Sequence, residues 1–118
     1  MTMTAHTGSC HCGNIAFTFE GSIDQALECN CSICAKKGSL LHFCPEPAFR
    51  MTTPEVQMGT YKFNTHRIAH RFCPTCGIAP FALAADKAGN AMVAINLRCV
   101  DGVDPDALKI QKFDGRSL

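Results

Sequence analysis

Seven of the chain's nine cysteines fall in three tight groups: Cys10-His11-Cys12, Cys29-Asn30-Cys31-Ser32-Ile33-Cys34 and Cys73-Pro74-Thr75-Cys76. Thiolates this close in sequence can point at a common centre about 2.3 Å away, the Zn–S distance. Such pairs make poor disulfides, because so short a loop removes little entropy from the unfolded chain. An odd number of cysteines also leaves one thiol over in any disulfide scheme. Disulfides need an oxidising compartment, and residues Met1 to His6 have neither a charged start nor an apolar run to signal export. A cytoplasmic location is therefore expected, and the spacing predicts zinc or another thiophilic metal.

Tetrahedral zinc takes four ligands, so seven clustered cysteines divide into four plus three. Phe72-Cys73-Pro74-Thr75-Cys76-Gly77 resembles half of a zinc ribbon, its Pro and Gly letting backbone N–H groups face the sulfurs. It needs a second pair from elsewhere, and Cys10-His11-Cys12-Gly13 is the natural candidate for a closed, structural site. His11, between two ligands, is expected to point away from the metal. Cys29, Cys31 and Cys34 then form a three-thiolate site with its fourth position open, the general plan of a catalytic zinc. Spacing leaves two alternatives standing. Cys73 and Cys76 could join two of the central three, or Cys44, Cys99, His42 or His66 could close the central site.

The rest of the composition narrows the class. With 118 residues, 47% hydrophobic and 18% charged, the sequence fits one soluble globular domain, 1–118, with its core over residues 8–113. No apolar run approaches the ~20 residues of a spanning helix, so no membrane partner is expected. A net charge of +1, one Tyr and no Trp argue against a nucleic-acid surface.

Several motifs in series carry a resemblance. Gly8-Ser9-Cys10-His11-Cys12-Gly13 precedes an alternating strand. Cys29-Asn30-Cys31-Ser32-Ile33-Cys34 is followed by Lys36, Lys37 and Gly38. Phe72-Cys73-Pro74-Thr75-Cys76-Gly77 leads to Ile95-Asn96-Leu97-Arg98 and the Asp-rich turn Asp101 to Asp104. In this order, over nearly the whole chain, the sequence resembles the glutathione-dependent formaldehyde-activating enzyme family, which also includes centromere-protein-V-like proteins. The resemblance implies a mainly β fold of the β-tent type with two zinc sites. It implies Cys10, Cys12, Cys73 and Cys76 as ligands of a structural zinc, and Cys29, Cys31 and Cys34 as ligands of a second, catalytic one. It further implies carbon–sulfur lyase chemistry: glutathione, or another small thiol, condensing with formaldehyde or a related small aldehyde to S-hydroxymethylglutathione.

The β-rich frame is also legible residue by residue. Ile15, Phe17 and Phe19 alternate with Ala16, Thr18 and Glu20, which predicts a strand with one buried face. Leu41 and Phe43 begin a second strand that Pro45 and Pro47 should break. Tyr61 to Thr65, Ile68 to Phe72, Phe81 to Ala85 and Ala91 to Val100 read as further strands, the last two joined by the turn Asp86 to Asn90. Short helices are expected at Ser32 to Gly38 and Pro105 to Leu108.

An ordinary thiol is mostly protonated at neutral pH, and coordination to zinc deprotonates it. The expected chemistry places the glutathione thiol at the open position of the central zinc, as the thiolate that attacks the aldehyde carbon. Three cysteinates already make that site −1, so a neighbouring cation is needed; Lys36, Lys37, His42, His66, His70 and Arg98 are the candidates. Their plainer roles are a solvated turn for the two lysines, surface positions for His42 and His66, and a half-buried hydrogen-bonded ring for His70. Arg98 has two readings, pairing with Asp101 or Asp104, or meeting a glutathione carboxylate. Cys44 and Cys99 read as buried thiols. A zinc-stabilised binding module and a thiol-redox protein are the alternatives to an enzyme.

Overall fold

The strands follow the alternating runs. The computed structural model describes residues 4–53, 57–62 and 68–117. In chain order its elements are β1 (Ala5–Ser9), β2 (Ala16–Glu20), β3 (Gln25–Cys29), α1 (Ser32–Lys37), β4 (Leu41–Pro45), β5 (Phe49–Met51), β6 (Gly59–Tyr61), β7 (Ala69–Phe72), β8 (Phe81–Ala85), β9 (Ala91–Asn96) and β10 (Lys109–Phe113). They form a three-stranded sheet, β1-β2-β5, and a seven-stranded sheet, β10-β3-β4-β9-β8-β7-β6. All the pairings are antiparallel except β10 with β3, where Lys109 stands opposite Gln25 and Phe113 opposite Cys29. The fold is mainly β, as expected, and no described helix is long and apolar enough to cross a membrane.

The core lies where the two sheets face each other. Ile15, Phe17 and Phe19 are buried on one side, Val93, Ile95 and Leu97 on the other. Phe17 stacks on Phe49 at 5.3 Å and meets the Phe81 ring edge-on at 5.9 Å, so aromatic contacts join both sheets. Burying a side chain of this size stabilises by about 1.5–3 kcal/mol, and the aromatic geometry adds about 1 kcal/mol. Gly8 fits because it has no side chain: a Cβ there would lie 2.6 Å from the Phe17 ring.

Two sequence expectations are corrected. The second strand does not break before Pro45; β4 pairs through it, opposite Met92, and the chain turns only at the 3-10 segment Glu46–Ala48. The last strand of the hairpin stops at Asn96 rather than Val100, because the Asn96 side chain accepts from the Arg98 amide and caps a 3-10 turn, Leu97–Cys99. Of the expected Tyr61 to Thr65 strand, Tyr61 ends β6 and Lys62 lies outside it, while residues 63–67, His66 included, lie outside the described residues. Strands β1, β3, β5 and β10 were not legible as alternation: β10 is exposed at all five positions, and its pairing with β3 is made by backbone.

Candidate metal centres and the adjoining cavity

Two of the cysteine groups sit in hairpin connections of different sheets. Cys10 and Cys12 lie between β1 and β2, whereas Cys73 and Cys76 lie between β7 and β8. The two connections have the same internal bond, from Cys10 N to Ile15 O and from Cys73 N to Ile78 O, each at 2.9 Å. Gly13 and Gly77 turn each of them with φ of 84° and 81°. Backbone amides face the sulfurs: Ile15 N donates to Cys10 Sγ at 3.3 Å and Cys76 N to Cys73 Sγ at 3.4 Å. Amides of Ile78 and then Cys12 hold the Cys76 thiol down at about 6, so it is a thiolate at neutral pH.

The four sulfurs lie within 4.8 Å of one another. Cys10 Sγ is 3.7 Å from Cys12 Sγ, and Cys12 Sγ is 3.5 Å from Cys73 Sγ. A tetrahedron with zinc–sulfur arms has edges of about 3.8 Å, so the donor set fits a thiolate-bound metal. The structure therefore brings together Cys10, Cys12, Cys73 and Cys76, and neither Cys73 nor Cys76 joins the central three. His11 is exposed and outside the group.

The central group gathers at the junction of β3 and α1. Cys29 ends the strand, Cys31 is the N-cap and Cys34 is on the helix, which closes at Gly38 with φ 67°. Their sulfurs lie within 4.8 Å of one another, and Cys31 N donates to Cys29 Sγ at 3.4 Å. Burial pushes the Cys34 thiol up to about 12, with Cys31 and Cys29 adding to it. Cys31 is also penalised by burial, but the Cys34 amide and the neighbouring thiols outweigh this and hold it below its usual value. A metal cation displaces thiol protons when it binds, so three sulfurs this close suit one.

Among the described residues this group stops at three. Cys44 is in the core, 2% exposed, and burial pushes it up to about 11. His42 tilts against the Phe19 ring at 5.6 Å. Cys99, also raised to about 11 by burial, lies beside Cys10 instead. None of these three closes the central group. The C-terminal segment lies over it: Asn30 N donates to Phe113 O at 3.2 Å and Asn30 Nδ2 to Asp114 Oδ1 at 3.0 Å.

Cys29, Cys31 and Cys34 open onto a cavity of about 210 Å³ that also includes Lys37, Ser39, His70 and Asn96 among largely apolar walls. Both lysines lie in the last turn of α1 rather than in a solvated turn, Lys36 exposed and Lys37 half-buried. Burial lowers the proton affinity of Lys37, and Cys34 and Cys31 pull it back up. The amine thus stands in the field of the central sulfurs. His70 is buried, 7% exposed, and burial followed by Lys37 lowers its pKa, which leaves the ring neutral at pH 7. A second cleft of about 430 Å³, of mixed polar and apolar lining, shares Lys37 and Asn96 with the first and adds Arg98, Asp101, Cys99 and His11.

Arg98 pairs with neither aspartate. Its Nε donates to Gly38 O at 3.1 Å, while Asp101 accepts from Thr7 Oγ1 and Asp104 from the Asp106 amide. Sequence reasoning missed Ser39, which carries no motif. It is 3% exposed and its Oγ has no hydrogen-bond partner among the described residues. Asn96 was in view only as part of a motif; its own signal is the cap it makes at the end of β9.

The family model for the glutathione-dependent formaldehyde-activating enzyme matches residues 5–112. Among solved structures, a Rhodobacter sphaeroides protein determined by crystallography as a structural-genomics target superposes with a TM-score of 0.76 at 24% identity. The match covers 89% of this chain and 99% of that one. At that identity the likeness speaks for the fold.

Proposed function

Since the chain belongs to the glutathione-dependent formaldehyde-activating enzyme family, we propose that it is a carbon–sulfur lyase-type enzyme that joins the thiol of glutathione to formaldehyde or a related aldehyde. The reading takes the chain as one domain, 1–118, in a reducing cytoplasm where its nine thiols stay free. Cys10, Cys12, Cys73 and Cys76 hold a structural zinc that clasps the hairpins of the two sheets. Cys29, Cys31 and Cys34 hold the catalytic one. The carrying observation is the difference between the two groups: four sulfurs complete a ligand set, whereas three open onto a cavity.

Zinc, when bound by the central sulfurs, supplies a means of keeping a substrate thiol deprotonated at neutral pH. The residues of the chain do the rest. The apolar walls exclude water, which strengthens every charge interaction inside. The Lys37 ammonium offsets the negative charge of the three cysteinates and is the cation available to the oxygen that becomes an alkoxide. The adjoining cleft, where Lys37 and Arg98 outnumber Asp101, supplies positive charge for glutathione carboxylates. The S–H proton ends on the aldehyde oxygen as the C–S bond forms.

The test is exchange NMR on zinc-loaded protein with glutathione and formaldehyde, where the adduct also forms without help. The proposal expects the exchange rate to rise in proportion to enzyme concentration, and to return to the uncatalysed rate with Cys31→Ala. A rate independent of enzyme would refute it.

A further inference from the structure

We infer that the cavity beside Cys29, Cys31 and Cys34 receives the side chain of an apolar aldehyde, aromatic or branched, so that the preferred electrophile is larger than formaldehyde. The inference rests on the condensation chemistry proposed above and names its substrate class.

Size is the first argument. The cavity measures about 210 Å³. A water occupies about 30 Å³ of liquid, and a 150 Å³ cavity lined by Leu, Ile and Phe binds benzene. Formaldehyde, with two non-hydrogen atoms, leaves most of the space unfilled, whereas an aldehyde of about eight or nine fits it.

Lining and mouth agree with this. Leu27, Ile33, Leu41 and Phe81 form much of the wall. Of the six exposed large hydrophobics among the described residues, three stand on this cavity: Phe43 at 44%, Ile68 at 44% and Phe113 at 42% exposure. Apolar surface concentrated at a concave mouth marks a binding site for an apolar group. The occupant is not glutathione, whose carboxylates and amides would lose water there with few partners. Those groups have the adjoining cleft, which meets the cavity at Lys37 and Asn96. Among the described residues the buried Ser39 hydroxyl in the wall has no hydrogen-bond partner, and it is a donor for the aldehyde oxygen. The step balances without a redox partner. The thiolate sulfur forms a bond to the carbonyl carbon, the C=O π pair moves to oxygen, and oxygen takes the proton that the thiol released.

The experiment uses zinc-loaded protein, with 2-phenylethanol as an unreactive probe and phenylacetaldehyde as substrate. Calorimetry should show saturable probe binding, with NMR shifts at the methyls of Ala82 and Ala94 in the cavity wall. With glutathione, kcat/KM for phenylacetaldehyde should exceed that for formaldehyde by about tenfold or more. Ala84→Leu, which adds bulk to the wall, should weaken probe binding about tenfold and move the preference toward formaldehyde. No saturable binding by the folded wild type, or binding with shifts away from the cavity, would overturn the inference; so would a preference for formaldehyde. If the probe binds at the cavity and neither aldehyde reacts, the proposed condensation fails, and the aldehyde assignment with it. If formaldehyde reacts and the probe does not bind, the condensation stands and this inference falls.

Discussion

Cys12 and Cys73 are 61 positions apart in the chain and 3.5 Å apart at their sulfurs. That single approach joins the β1–β2 connection of one sheet to the β7–β8 connection of the other. A domain of this size buries only about two thirds of its unfolded surface, and a structural zinc contributes on the order of 10 kcal/mol of apparent free energy coupled to folding.

Cys73→Ser should therefore abolish the cooperative fold. Circular dichroism at 25 °C should show loss of the native β spectrum, and chelation of wild type should do the same. A Cys73→Ser protein that melts cooperatively near the wild-type Tm would show that the sheets stay joined without the metal.

Gly115 stands against the central group. A Cβ at this position would lie 2.6 Å from Cys29 Sγ and 3.2 Å from Cys31 Cβ. Gly115→Ala should displace the sulfur and weaken the second zinc about tenfold or more, leaving the first bound and the fold intact. Competition with a chromophoric chelator measures this directly. Equal affinity in the two proteins would mean that the C-terminal turn yields instead.

Arg98 is held by Gly38 O, at the end of the helix that carries Cys34 and Lys37. If it meets a glutathione carboxylate, Arg98→Met should raise KM for glutathione about tenfold with kcat nearly unchanged, the mark of lost uniform binding. A fall in kcat at constant KM would assign it to the reacting centre.

His42 gives a pH dependence. Burial, and then His6, lowers its pKa below 6.5, with Asp24 opposing. Below 6.5 the unfolded chain takes up this proton more readily than the folded one, so stability falls with pH until the lowered value is passed. His42→Gln should lose less stability than wild type between pH 7 and pH 5.5, measured by urea unfolding with excess zinc. Parallel losses in both proteins would place the acid sensitivity elsewhere, for instance at the thiolates.

Much of the site was legible because cysteine spacing constrains coordination more tightly than periodicity constrains packing. Four plus three follows from coordination number, and the sulfurs of Cys10, Cys12, Cys73 and Cys76 do gather as one group. Strand β2 was legible because Ile15, Phe17 and Phe19 all face the core. Strand β10 was not, since backbone pairing to β3 defines it and no side-chain alternation accompanies it. Lys37 was legible only as one of two readings, a candidate cation or part of a solvated turn. It follows Lys36 in the sequence, and the helix directs the two apart, one to solvent and one toward the central sulfurs. The cavity is a property of residues from β3, α1, β4, β8 and β9 together, which no local pattern contains.

The central claim is that one cysteine group holds the fold and the other serves chemistry. Zinc content of wild type and Cys31→Ala, purified under reducing conditions and paired with circular dichroism, tests it most directly. The account predicts two zincs falling to one with the β spectrum unchanged. Loss of the fold in Cys31→Ala would make the second group structural as well, and one zinc in both proteins would leave the central sulfurs without the metal that the proposed chemistry requires.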